Sequence, residues 1–170
     1  MAWPRADGDW APYLAAVRAC YLGLCAAVAR HAPVLLLTDN PAETGSALAP
    51  LEQHLAAAGL THRLRLIDSP AQDTWTRDYG PITVLETAAD SGDSPSGQRP
   101  VLLDFRFNGW GGKYLMDGDQ EIGAELAESV GLPVATADWI LEGGALDCDG
   151  TGLVATTEQC LLNPNRNPAL

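Results

Sequence analysis

Apolar residues recur at helical spacing over residues 11–31, where Leu14, Val17, Tyr21, Leu24 and Val28 fall on one stripe and predict an amphipathic helix. Ala32-Pro33 ends it, since proline has no N–H for the helical ladder and holds its predecessor extended. Val34-Leu35-Leu36-Leu37 is apolar without alternation, the pattern of a strand covered on both faces. Asp39-Asn40-Pro41 reads as a turn, and residues 47–58 as a second helix stopped by Gly59. Alternation over residues 62–67, His-Arg-Leu-Arg-Leu-Ile, predicts a strand. Further strands over 82–86 and 101–107 flank residues 87–99, whose small polar composition predicts a flexible hairpin tip rather than a domain linker. A third helix starts at Asp119, places Ile122, Leu126 and Val130 on one face and closes at Gly131. Val134-Ala135-Thr136-Ala137 follows as a short strand and residues 139–144 as a loop. Asp149-Gly150 marks the turn of a hairpin between residues 145–148 and 152–157. Residues 1–10 read as an entry arm and 163–168 as irregular.

This order contains a repeat. Helix 47–58, strand 62–67, a loop with Trp and acid, and the strand pair 82–86/101–107 form one unit. Helix 119–130, strand 134–137, a second Trp-and-acid loop and the hairpin form another, with the helix and strand of 11–37 as part of a further one. Trp75 and Asp78 thereby occupy the places of Trp139 and Glu142. Units arranged about an axis would point these acids at one centre. A chance likeness of helix–strand order is the competing reading.

Composition narrows the partners. The 170 residues can form one domain with a core, and 46% hydrophobic content is that of an ordinary globular chain. Twenty-two acidic against ten basic residues give a net charge of −12. That balance makes nucleic acid and an anionic membrane poor partners and favours a cationic small ligand, besides the solubility that acidity alone confers. Met1-Ala2-Trp3-Pro4-Arg5 lacks the basic-then-apolar order of a signal peptide, and no uninterrupted apolar stretch reaches the length of a membrane span. Cys20, Cys25, Cys148 and Cys160 show neither C-x-x-C spacing nor a disulfide framework, so a reducing cytoplasm is the expected compartment and no zinc site is expected.

The densest chemistry lies in Asp73-Thr74-Trp75-Thr76-Arg77-Asp78-Tyr79-Gly80-Pro81, on a loop at a strand end. Trp75, three residues before Asp78, offers a flat apolar face beside a carboxylate. A planar cation such as a guanidinium suits that pair: the face stacks on it and the carboxylate takes its N–H fork. The alternative is a brace in which Asp73 and Asp78 pair with Arg77. Gly109-Trp110-Gly111-Gly112-Lys113 is glycine-rich, but its spacing misses both phosphate-loop patterns and a negative chain repels phosphate. Asp147-x-Asp149-x-Thr151-Gly152, with Glu158, has the spacing of a calcium loop, although such loops join helices and this stretch reads as a hairpin. Thiolate chemistry has little support. Cys148 and Cys160 stand among Asp147, Asp149 and Glu158, which oppose ionisation, Cys20 and Cys25 lie in a helix, and His31, His54 and His62 fall outside any motif.

With these stretches together, the chain resembles the agmatine deiminase and bacterial-type peptidylarginine deiminase family. Residues 73–81 are similar to the family's first signature, and Phe105-Arg106-Phe107-Asn108-Gly109-Trp110-Gly111-Gly112-Lys113-Tyr114 to its second. Leu141-Glu142-Gly143-Gly144-Ala145-Leu146-Asp147, followed by Thr156-Thr157-Glu158-Gln159-Cys160-Leu161-Leu162-Asn163-Pro164-Asn165-Arg166-Asn167, is similar to the third. The matches keep the family's order and correspond to the N-terminal half of a member. The resemblance implies an α/β pentein, a propeller of five pseudo-repeated modules around a funnel. Residues 1–170 would hold roughly two to three modules, as the N-terminal part of a single catalytic domain. It implies hydrolysis of a guanidinium to a ureido group and ammonia without a metal or organic cofactor, on agmatine or alternatively on peptidyl-arginine to give citrulline. By motif match Asp78 holds the guanidinium nitrogens, Trp75 walls the pocket, Glu142 sits nearby and Trp110 lines the entrance. The family's His motif and nucleophilic Cys find no match, so the chain alone is expected to be inactive or nearly so. Half a closed ring exposes apolar edges, which implies self-association or binding of a C-terminal half. A non-catalytic binding role is the remaining alternative.

Overall fold

The computed structural model describes residues 1–87, 97–115, 117–120 and 122–170, so most of the expected hairpin tip, residues 88–96, lies outside the described residues. The fold is mixed α/β, and the chain divides into two units, Met1–Thr76 and Arg77–Leu170.

The first unit runs through α1 (Leu14–Ala29), β1 (Val34–Thr38), α2 (Pro41–Ala57) and β2 (Leu64–Asp68). β1 and β2 are parallel, with Val34 opposite Leu64 and Thr38 opposite Asp68. A parallel pair needs a crossover, and α2 supplies it. Trp3, Cys25, Ala29, Val34, Leu36, Leu48, Leu51 and Leu55 form the core. Leu24, expected on the buried stripe of α1, is instead 47% exposed, and the helix buries Cys25 and Ala29. Small side chains there let the helix seat closely, which outweighs the larger residues of the stripe. Burial pushes the Cys25 thiol pKa up. α2 begins earlier than its apolar pattern. Asn40, read as part of a turn, accepts from Glu43 N–H at 3.1 Å as an N-cap, and Pro41 fills the first helical turn, where no N–H is needed.

By length and composition the helix Ala11–Ala29 is apolar enough to cross a membrane, although Arg18 interrupts its apolar run. Arg18 is engaged within the unit. Its Nε donates to Pro4 O at 3.0 Å, its Nη1 pairs with Glu43 at 3.0 Å, and its guanidinium lies 5.3 Å from the Trp3 ring.

The second unit contains most of α3 (Thr76–Tyr79), then β3 (Ile82–Thr87), β4 (Gln98–Arg106), the short α4 (Gly109–Gly112), α5 (Ile122–Val130) and β5 (Val134–Ile140). β6 (Asp147–Cys148), β7 (Val154–Ala155) and α6 (Glu158–Leu161) follow. β4 is central, antiparallel to β3 and parallel to β5, with a register break between Phe105 and Arg106. Tyr79, Val101, Leu102, Phe107, Ile122, Ala127 and Leu141 are its buried apolar residues. Each unit thus holds one β-α-β crossover, β1-α2-β2 and β4-α5-β5.

Several assignments change, and the expected hairpin strands 145–148 and 152–157 pair only at Asp147–Cys148 and Val154–Ala155. Trp139 belongs to β5, not to a loop, and its ring packs edge-on against Phe105 at 5.0 Å. The pairing of its strand with β4 continues to Ile140 and carries Trp139 with it. The third helix starts with a 3-10 turn at Asp117–Gln120 before α5.

Candidate functional site

Asp78 sits on α3, which is anchored by its neighbour Tyr79, 3% exposed and 5.8 Å from the Phe107 ring. Both carboxylate oxygens of Asp78 are engaged. Oδ1 accepts from Gly144 N–H at 3.0 Å and Oδ2 from the indole Nε1–H of Trp110 at 3.1 Å. Two donors from separate loops fix the plane of the carboxylate while leaving it lone pairs for a further donor. The approach depends on the Gly143-Gly144 pair: a Cβ on Gly144 would collide with Asp78 Oδ1, and one on Gly143 with the Arg77 carbonyl oxygen. Asp78 is therefore not spent on the brace with Arg77, and no ion pair joins those two among the described residues.

Trp110 reaches Asp78 from a strained turn. Its φ of 59° and ψ of 49° are left-handed, a conformation that costs a non-glycine residue about 1–3 kcal/mol. Its surroundings hold it there. The indole packs edge-on against Phe107 at 5.0 Å and Tyr114 at 5.7 Å, and Asn108 Oδ1 accepts from Gly111 N–H at 2.8 Å. Aromatic rings thus step from Tyr79 through Phe107 to Trp110 and Tyr114.

Glu142 is 3% exposed, two residues before the Gly144 that serves Asp78. Its Oε1 accepts from Arg166 Nε at 2.6 Å. The next residue, Asn167, satisfies the end of β5: its Oδ1 accepts from Ile140 N–H at 2.8 Å, and its Nδ2 donates to the carbonyls of Ile140 and Leu161, each at 2.8 Å. Residues 163–168, read as irregular, are thus built into the site. The available signal was electrostatic: a glutamate destined for burial needs a cation, and Arg166 is flanked by amide side chains able to anchor its backbone.

The second unit therefore brings together Asp78, Trp110 and the Glu142 loop. Trp75 belongs to the first unit, where it is 55% exposed. In that unit Thr74 Oγ1 accepts from Trp10 Nε1 at 2.9 Å, and burial, with Asp9 adding to it, pushes the Asp73 carboxyl pKa up. Residues 147–155 form a hairpin, not the loop between two helices to which the calcium reading of residues 147–158 belongs. Asp149 accepts from Thr151 N–H at 2.8 Å, Thr151 Oγ1 at 2.6 Å and Leu153 N–H at 3.1 Å, which spends its oxygens on the turn of the β6–β7 hairpin. Among the described residues no group of three or more His, Cys, Asp or Glu could hold a metal ion. His31, His54 and His62 are exposed residues of the first unit, and Cys148 is exposed on β6.

The model of the Porphyromonas-type peptidyl-arginine deiminase family matches residues 1–170. The agmatine deiminase of Stutzerimonas stutzeri (strain A1501) is 35% identical over 181 residues, covering 100% of this chain and 43% of that protein. That of Pseudomonas syringae pv. tomato is 31% identical over 179 residues, again covering 100% of this chain and 43% of the relative. Among solved structures, an agmatine deiminase of C. jejuni with substrate bound superposes with a TM-score of 0.76 at 28% identity, covering 99% of this chain and 45% of that one. The agmatine deiminase of Enterococcus faecalis gives a TM-score of 0.70 at 26% identity, covering 100% of this chain and 43% of that one. The chain spans less than half the length of the relatives it matches.

Proposed function

The chain belongs to the Porphyromonas-type peptidyl-arginine deiminase family, and from that premise we propose that it is the N-terminal part of a guanidine deiminase acting on agmatine. The reaction adds water to the guanidinium carbon and releases ammonia, giving N-carbamoylputrescine. The fold in this reading is a pentein, of which these residues supply two to three modules. A Cys thiolate and a His proton shuttle come from the part of the family fold that the chain does not span. Attack on a guanidinium carbon also needs carboxylates that orient and polarise the cation, and Asp78 supplies one.

The observation that carries this reading is the fixed carboxylate of Asp78, held at one oxygen by Gly144 and at the other by Trp110. A carboxylate locked by two N–H groups presents its remaining lone pairs in one plane, which is what a planar N–H fork requires. Trp110 supplies an aromatic face in the reading, and Glu142 a second acid on the neighbouring loop. The net charge of −12 favours a cationic ligand over an anionic one. The cytoplasm is the proposed compartment.

Agmatine titrated into the chain, followed by tryptophan fluorescence and calorimetry, tests the reading. Saturable binding that Asp78→Asn abolishes is expected, and binding retained in Asp78→Asn would defeat the assignment. The same reading treats Val134, Leu153 and Val154, all exposed in the second unit, as surfaces for further modules or for a second copy. A clean monomer in size-exclusion chromatography would count against that part.

A further inference from the structure

Arg166 carries a guanidinium that the proposed reaction does not use. It is largely buried, its side chain 13% exposed against 4% for that of Glu142. Its Nε donates to Glu142 Oε1 at 2.6 Å. Its Nη1 lies 3.3 Å from the position a Cβ on Gly111 would take, so the guanidinium rests against the glycine-rich turn, where φ is +80°. The adjoining Asn165 accepts at its carbonyl oxygen from Asn108 Nδ2 at 2.9 Å, a second tie to the same turn.

Arg166 therefore touches both loops that serve Asp78. One loop, residues 108–112, delivers the Trp110 indole N–H, and the other, residues 142–144, delivers the Gly144 N–H. The contacts close into a ring through Asp78, Trp110, Gly111, Arg166, Glu142 and Gly144, with each neighbour joined by a hydrogen bond, an ion pair, a packing contact or the backbone. A buried carboxylate has no good alternative to its cation, so the Glu142 pair fixes where its loop can sit. A planar guanidinium suits this place better than an ammonium: it can donate from Nε at its edge while its outer nitrogen lies on a glycine backbone.

We propose that Arg166 is a positioning residue: by pairing with Glu142 and lying against Gly111 it holds two loops at the spacing that keeps both oxygens of Asp78 occupied. It acts on the ligand only through Asp78, and its role in binding rests on the guanidinium-binding reading of that residue. The glycines at 111 and 144 belong to the same device: a Cβ at 144 would collide with Asp78 Oδ1, and one at 111 would crowd Asn165 and Arg166.

The test uses the 170-residue chain labelled with ¹⁵N. The indole N–H resonance of Trp110, assigned by its disappearance in Trp110→Phe, reports the hydrogen bond to Asp78. Arg166→Met is expected to move that resonance toward the position of a solvent-exposed indole, and to weaken agmatine binding about tenfold or more through misplacement of the carboxylate. Circular dichroism identifies a variant that has lost its fold. In that case Arg166→Lys, which keeps the charge and loses the planar fork, must show a displaced Trp110 line. A wild-type line and wild-type affinity in Arg166→Met, or a wild-type line in Arg166→Lys, would overturn the assignment. Wild-type protein that binds no agmatine would defeat the functional reading instead, and the spectroscopic comparison would still decide the role of Arg166.

Discussion

The indole of Trp110 donates to Oδ2 of Asp78 at 3.1 Å, across 32 positions of sequence. Such a bond uses the indole as a positioning donor and not only as an apolar wall. Trp110→Phe keeps a ring between Phe107 and Tyr114 but removes the N–H. Hydrogen bonds to charged groups contribute about 1.5–3 kcal/mol, so guanidinium affinity should fall by about ten- to a hundredfold while the fold persists. Calorimetric titration with agmatine, beside an unfolding curve for each protein, separates the two effects. Unchanged affinity would reduce Trp110 to packing.

Gly144 is the other side of the same carboxylate. A Cβ at this position would meet Asp78 Oδ1, and the acceptor cannot retreat without breaking its bond to Trp110. Gly144→Ala should therefore displace Asp78 and destabilise the second unit by about 1–3 kcal/mol, the usual cost of overpacking. Urea unfolding measures the loss, and agmatine binding should be weakened in parallel. Full stability with full binding would mean that the loop relaxes freely and that the close approach has no consequence.

The legible part of this protein was its periodic part. Val34 to Leu37 announced β1 as an unbroken apolar run, and the alternation before Asp68 announced β2 through the strand period. The length of α2 was understated because its first turn is specified by Asn40 and Pro41, which carry no hydrophobic signal and are just as common in turns. Asp78, Trp110 and Glu142 stood out as chemical groups in short motifs, and the second unit brings all three into one connected set. The partners that fix them were not visible. Arg166 follows Glu142 by 24 positions and Gly144 follows Asp78 by 66, and no local rule links residues so far apart. The left-handed backbone of Trp110 was hidden as well, since its glycine neighbours account for a turn without saying which residue bears the strain.

Asn167 shows how a segment without regular structure can support a sheet. Its amide accepts from Ile140 N–H and donates to Ile140 O, as a neighbouring strand would, and donates again to Leu161 O. The residue is 7% exposed, so water does not readily replace these bonds. Asn167→Ala should cost about 2–3 kcal/mol, from lost hydrogen bonds and from the backbone groups left unsatisfied at Ile140. Urea unfolding gives the magnitude, and hydrogen exchange should accelerate at the Ile140 amide more than at Leu102 in β4. Equal acceleration at both positions would indicate global loosening instead of a local tie.

Asp104 predicts a pH dependence of stability. It lies on β4 with its carboxylate against Gly123 of α5, where burial pushes its pKa above the ordinary 3.8. The folded state then holds the proton to higher pH than the unfolded chain does. In the window between the two pKa values the folded state binds more protons, so stability falls as pH rises through it. Below 3.8 the acid is protonated in both states and contributes no difference, whereas above the raised folded pKa the full penalty remains. Asp104→Asn removes the charge at nearly constant shape. The variant should therefore unfold at a higher temperature than the parent at pH 7, and the gain should shrink to nothing as the pH is lowered beneath the ordinary carboxyl value. Thermal melts of both proteins across that range supply the check. A gain that persists in acid would assign the effect to packing against α5, and no gain at pH 7 would show that the carboxylate is not penalised by its burial.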